Sequence, residues 1–146
     1  MQGKVYIVHK KDDHKKSPMI IKTYAKSANR CFKKEKQVLE KIKSAHLCSQ
    51  GFPQLISTKT DSTTSELLME ALGKNLKDVL LNSPNKTFPP FYAFKIILQL
   101  IERIKNLHQI GFVHGDLKLQ NIVQHSEDTN RVFLIDFGSS FSYLND

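Results

Sequence analysis

Apolar positions along this chain change their period several times, and each change marks an element. Val5-Tyr6-Ile7-Val8 and Met19-Ile20-Ile21 are short β-favouring runs. The strongly polar stretch from Lys10 to Ser17 separates them and Pro18 restarts the chain, so they predict a hairpin. From Ser27 to Ser44 the pattern becomes helical, with Phe32, Leu39 and Ile42 on one face and Ser27 or Asn29 as cap. After the Gly51-Phe52-Pro53 turn, Gln54 to Thr58 and Ser65 to Met69 predict two more strands joined by the polar link Lys59 to Thr64. Glu70-Ala71-Leu72-Gly73 then reads as a strand end leading into a connector.

Beyond the connector the pattern turns mainly helical. Asn75 to Leu81 predicts a short helix. Pro89-Pro90 introduces a long one that places Phe94, Ile97, Leu98, Ile101, Ile104 and His108 on one face, and Gly111 ends it. That face is expected to be buried and to form the core holding the loop that follows. Val132-Phe133-Leu134-Ile135 is a final short strand run. Strands first and helices after describe an α+β chain, without internal repeats or low-complexity segments.

One charge sits against this pattern. Spacings of three and four place Glu35 on the apolar face of the first helix. A buried carboxylate costs free energy unless it meets a cation, so a specific partner is expected. Lys22, leaving the second strand just before the helix, is the candidate; the competing reading pairs Glu35 at the surface with Lys33 or Lys36.

The densest chemistry lies between residues 114 and 138. His114-Gly115-Asp116-Leu117-Lys118-Leu119-Gln120-Asn121 is followed by Phe133-Leu134-Ile135-Asp136-Phe137-Gly138. Phosphoryl transfer to a hydroxyl needs positioning and charge neutralisation more than covalent chemistry, and this segment supplies the parts. Asp116 would accept the hydroxyl proton, Asn121 and Asp136 would hold Mg²⁺ against phosphate oxygens, and Lys118 would neutralise charge on the transferred group. Either motif alone would be compatible with an ordinary turn; their order and spacing together are the signal.

The pair resembles the catalytic loop and metal-binding loop of eukaryotic protein kinases. Within that superfamily the chain is most similar to the casein kinase 1 group. That likeness rests on Leu68-Met69-Glu70-Ala71-Leu72-Gly73-Lys74-Asn75-Leu76-Lys77-Asp78, on Gln99-Leu100-Ile101-Glu102-Arg103-Ile104-Lys105-Asn106-Leu107-His108, and on Gly51-Phe52-Pro53. His114-Gly115-Asp116 is similar to the loop of the vaccinia-related branch. The resemblance implies a two-lobe fold, with a small antiparallel β-sheet lobe carrying one long helix and an incomplete, mainly helical large lobe. It divides the chain into a small lobe over 1–70, a hinge over 71–74 and the start of a large lobe over 75–146. It implies ATP and Mg²⁺ as cofactors and protein serine or threonine hydroxyls as substrates, Lys118 being the usual serine/threonine choice. Lys22 would bind nucleotide phosphates and pair with Glu35. Backbone groups near Glu70 and Leu72 would bond adenine, Met69 would flank the pocket, and Val5, Leu72 and Val123 would line it.

Four departures from the kinase pattern qualify these expectations. Gly115 stands where an arginine commonly receives an activation-loop phosphate, which lowers the expectation of control by loop phosphorylation. Leu119 replaces a common proline, and Ile20 replaces a small alanine over adenine, narrowing the pocket. Gly3-Lys4-Val5 matches only the end of a glycine-rich loop and the chain stops eight residues after Gly138, so the resemblance is to a partial domain truncated at both ends. A truncated, non-catalytic nucleotide-binding or regulatory module is therefore the alternative to an active kinase.

Composition changes this picture little. The net charge of +8, with lysines clustered at Lys10-Lys11, Lys15-Lys16, Lys33-Lys34-Lys36 and Lys41-Lys43, suits acidic protein partners. The clusters lack the interleaved aromatics of a nucleic-acid surface, which argues against that partner. With no long apolar run and no apolar signal core at the start, no membrane span is expected and the location expected is cytoplasmic or nuclear. Cys31 and Cys48 are too few for a disulfide framework or a zinc site.

Overall fold

The structure, a computed structural model, describes residues 3–9 and 18–144. Four strands, β1 (Lys4–Val8), β2 (Met19–Ala25), β3 (Leu55–Thr60) and β4 (Thr64–Glu70), form one antiparallel sheet in the order β1-β2-β4-β3. The predicted β1–β2 pairing is present, while the Lys10 to Ser17 turn lies outside the described residues. Alternation decides the inner face: Lys22 and Tyr24 on β2 are buried, as are Ser65, Leu67 and Met69 on β4. The helix α1 (Asn29–Ser44) lays Phe32, Glu35, Val38, Leu39 and Ile42 against that face.

Two local expectations are corrected here. Neither Ser27 nor Asn29 caps α1: Ser27 lies in the 3-10 turn Lys26–Ala28, and Ala28 occupies the cap position without a side-chain bond. The turn's own backbone replaces the cap, because the Asn29 N–H donates to the Lys26 carbonyl. The β3–β4 link is also shorter than Lys59 to Thr64. The Asp61 carboxylate accepts the N–H groups of Thr63 and Thr64, each at 2.8 Å, and this tight turn lets Lys59, Thr60 and Thr64 join the strands.

The second half contains α2 (Leu76–Leu81), capped by the Asn75 side chain, which accepts the Asp78 N–H at 2.9 Å. The long helix α3 (Pro90–Gln109) follows, then two small antiparallel pairs: β5 (Phe112–Val113) with β8 (Phe141–Ser142), and β6 (Ile122–Gln124) with β7 (Val132–Leu134). Ile135 lies just beyond β7 rather than in it.

The predicted inner face of α3 is wrong. Phe94, Ile97, Leu98 and Ile101 are each more than half exposed, His108 is exposed and Ile104 only half-buried. The helix instead turns Ile96, Arg103 and Leu107 inward. Apolar residues spread over more than one side of the helix, so periodicity offers two faces, and hydrogen bonding selects between them. Gln99 accepts the Val132 N–H at 3.1 Å and donates to the Asn130 carbonyl at 2.8 Å, while Arg103 Nε donates to the Val132 carbonyl at 3.3 Å. The two bonds to Val132 serve backbone groups of buried β7, and the bond to Asn130 holds the loop that leads into it.

Candidate active site

The β6–β7 pair brings the two proposed metal ligands together. Ile122 stands opposite Leu134, and the Ile135 N–H donates to the Asn121 carbonyl at 2.9 Å, so Asn121 and Asp136 emerge at the same end. Asp136 takes a left-handed conformation with φ of 67°. Phe137 behind it is fully buried between the Phe52 ring at 6.3 Å and the His114 ring at 5.3 Å, which holds the strained residue in place.

His114 organises the loop carrying Asp116. The Asp116 N–H donates to His114 Nδ1 at 3.2 Å, so Nε2 carries the proton and donates to the Ile135 carbonyl at 3.0 Å. Burial pushes the His114 pKa down, which keeps the ring neutral. The Asp116 carboxylate accepts Lys118 Nζ at 2.5 Å and Asn121 Nδ2 at 3.0 Å. The Lys118 contact holds its pKa below the usual carboxylate range. Asn121 Nδ2 also reaches the Asp116 carbonyl at 2.9 Å, so its amide nitrogen is spent on the loop.

Gly115 is required by geometry. Its φ is 78°, and a Cβ there would lie 2.6 Å from the Ser139 carbonyl oxygen. Gly115→Ala is expected to cost on the order of 1–3 kcal/mol of stability. Urea denaturation of the two proteins tests this; equal midpoints would mean that the loop relaxes without cost.

Across the cleft, Lys22 is the cation that Glu35 meets. Its Nζ lies 2.8 and 3.1 Å from the Glu35 carboxylate oxygens and 2.9 Å from Asp136 Oδ1. Burial works against the ammonium, but the two carboxylates outweigh it and hold the Lys22 pKa above the ordinary lysine value. Burial raises the Glu35 pKa against the pull of Lys22 and Tyr24. Tyr24 adds a third bond to Glu35 through its hydroxyl, whose own pKa is raised by burial and by that carboxylate. At the surface, Lys36 pairs with Glu40 instead.

These groups border a cleft of roughly 390 Å³, a size suited to a small organic ligand. Val5, Lys22, Glu35, Met69, Glu70, Leu72, Asn121, Val123 and Asp136 line it; Asp116 and Lys118 lie outside the lining, beside Asn121. At the connector, the Ala71 N–H donates to Pro18 and the Gly73 N–H to Gln124. Glu70 is tied to Gln54 twice, its Oε1 accepting the Gln54 N–H and its own N–H donating to the Gln54 carbonyl, which leaves its backbone carbonyl to face a ligand. Ile20 is also in the wall, along with Gly3, Pro53, Gly73, Gln120 and Ile135, which sequence reasoning did not single out as site residues. Tyr24 was missed too, although its spacing of two from Lys22 on one strand is a signal that places both on the same face.

Among the described residues, no cluster of three histidine, cysteine or acidic side chains could hold a metal, and no helix is long and apolar enough to cross a membrane. Cys31 and Cys48 are free and half-buried.

The chain matches the protein kinase domain family over residues 1–146. It is 32% identical over 145 residues to a probable casein kinase I homolog of Encephalitozoon cuniculi, covering 97% of this chain and 43% of that protein. It is 34% identical over 110 residues to a probable serine/threonine-protein kinase of Dictyostelium discoideum, covering 75% of this chain and 20% of that one. The chain thus spans less than half the length of these curated relatives. Among solved structures, that of vaccinia related kinase 3 superposes with a TM-score of 0.73 at 22% identity, over 97% of this chain and 45% of the other, which shows the shared fold. With that match, a small antiparallel sheet, one helix packed on it, and Lys22, Glu35, Asn121 and Asp136 lining one cleft with Asp116 beside Asn121, the chain belongs to the protein kinase family.

Proposed function

We propose that this site binds ATP with Mg²⁺ and transfers the γ-phosphoryl group to serine or threonine hydroxyls of proteins, in the manner of the casein kinase 1 group. The observation that carries the reading is Lys22, bridged between Glu35 and Asp136 at 2.8 and 2.9 Å on the wall of the cleft. A cation held by two carboxylates there is placed to meet phosphate oxygens. The net positive charge favours acidic protein substrates, and a cytoplasmic or nuclear location accompanies the reading.

The donor set fits Mg²⁺. Asn121 offers an amide oxygen, its nitrogen being spent on Asp116, and Asp136 offers carboxylate oxygens; both are hard ligands. Bound there, the ion would neutralise charge on the nucleotide phosphates. Asp116, held by Lys118 and Asn121, would orient the incoming hydroxyl and take its proton at a carboxylate oxygen. Lys118 would shift from Asp116 toward the transferred group. The Glu70 carbonyl and the Leu72 N–H would seat adenine between Ile20 and Val123.

A thermal-shift titration with ATP, with and without Mg²⁺, tests this. At a hundred times the dissociation constant a bound ligand adds about 2.7 kcal/mol, a shift of several degrees. A rise that needs Mg²⁺ is expected. A cooperative melt indifferent to ATP would remove the nucleotide-binding reading. A Mg²⁺-dependent rise without phosphotransfer to any acidic or basic peptide would favour the non-catalytic module.

A further inference from the structure

We propose that Tyr24 is a positioning residue of this site: its hydroxyl fastens Glu35, and through Glu35 fixes Lys22 where a nucleotide phosphate would lie. The inference rests on the nucleotide-binding reading above and adds to it the device that keeps α1 turned inward.

Lys22 faces two acids from opposite sides of the cleft, Glu35 on α1 and Asp136 after β7. A single ammonium shared between them does not by itself decide where α1 rests, because movement toward Asp136 loosens Glu35. Tyr24 removes that freedom. It lies two residues after Lys22 on the same face of β2, 1% exposed, and its hydroxyl donates to Glu35 Oε2, the oxygen that Lys22 also holds at 2.8 Å. The Tyr24 ring packs on Phe32 of α1 at 5.7 Å between centroids, and Lys22 Nζ lies 5.5 Å from the ring centre. β2 therefore grips α1 by a hydrogen bond and an aromatic contact one turn apart. Glu35 is 2% exposed, so water is a poor substitute for a lost donor there.

The other end of the site has a tie of its own. The Ser140 hydroxyl ties the segment after Gly138 to the His114 carbonyl at 3.0 Å. Tyr24 is the matching tie in the small sheet.

The test uses the 146-residue chain, Tyr24→Phe, Glu35→Gln and the double variant. Calorimetric affinities for Mg²⁺-ATP and for adenosine are compared, together with amide hydrogen exchange over residues 32–42 without nucleotide. Tyr24→Phe is expected to weaken Mg²⁺-ATP about tenfold, the scale of one hydrogen bond to a buried charge, and to leave adenosine unchanged. Exchange in α1 should quicken, and adding Tyr24→Phe to Glu35→Gln should change Mg²⁺-ATP affinity less than about twofold, since coupled residues are not additive. Wild-type values for Tyr24→Phe in both affinity and exchange would overturn the proposal, as would equal weakening of adenosine, which signals general damage to the sheet. If the wild-type chain binds neither ligand, the nucleotide reading fails separately. Exchange then still decides whether Tyr24 holds α1: quicker in Tyr24→Phe supports the tie, unchanged removes it. Should Tyr24→Phe not fold, Tyr24→His keeps a ring donor; affinity within about threefold of wild type supports the hydrogen-bond role, and a full loss counts against it.

Discussion

Asp116→Asn is expected to lower phosphotransfer by roughly 10²–10⁴-fold, the usual contribution of a positioned general base, while Mg²⁺-ATP binds as before. The separation follows from where the residue sits. Asp116 lies outside the lining of the cleft, and its carboxylate holds Lys118 and Asn121. Asparagine keeps the shape and one accepting oxygen for those contacts but cannot take a proton. Phosphate incorporation into a serine-containing peptide gives the rate and calorimetry gives the affinity. Transfer that stays within about tenfold of wild type would show that the proton goes elsewhere, and a matching loss of affinity would show that the loop had moved.

Asp136→Asn should act on binding instead. A carboxylate offered to Mg²⁺ and bonded to Lys22 becomes a neutral amide, and Mg²⁺-ATP affinity is expected to fall on the order of a hundredfold, about 3 kcal/mol. Binding of ATP without Mg²⁺ should change much less. Asparagine is the suitable replacement because it tolerates the left-handed conformation that Asp136 adopts at φ of 67°. The contrast between the two affinities is therefore informative about charge rather than about a collapsed turn. An Asp136→Asn protein that binds Mg²⁺-ATP as tightly as wild type would remove Asp136 from the metal-binding assignment.

Many of the residues that gather at the cleft were legible in the chain because the motifs carrying them are local. Asp116, Lys118 and Asn121 fall within six residues, and Asp136 follows a short apolar run. Glu35 was legible for a different reason, as a charge on an otherwise apolar helical face that required a cation. What stayed illegible were short or redundant signals. β5, β6 and β8 are two or three residues long, below what a period of two can reveal. The cap of α1 was misplaced because a 3-10 turn satisfied the first donor through backbone alone. The lining contributed by Pro53, Gln120 and Ile135 came from loops with no pattern of their own.

By itself, then, the sequence determined the order of the longer strands and helices, the identity of the charged groups and the spacing of the two motifs, since periodicity and motif spacing are properties of neighbours along the chain. Tertiary structure decided the pairings between distant residues. α3 shows this most plainly: its apolar residues permit two inward faces, and the one chosen is the face whose Gln99 and Arg103 satisfy the buried edge of β7, leaving Phe94, Ile97, Leu98 and Ile101 outside. The same kind of choice brought Tyr24 to Glu35 and Asp136 to Lys22, because a buried polar group is stable only beside a partner, and that partner is found in space rather than in sequence.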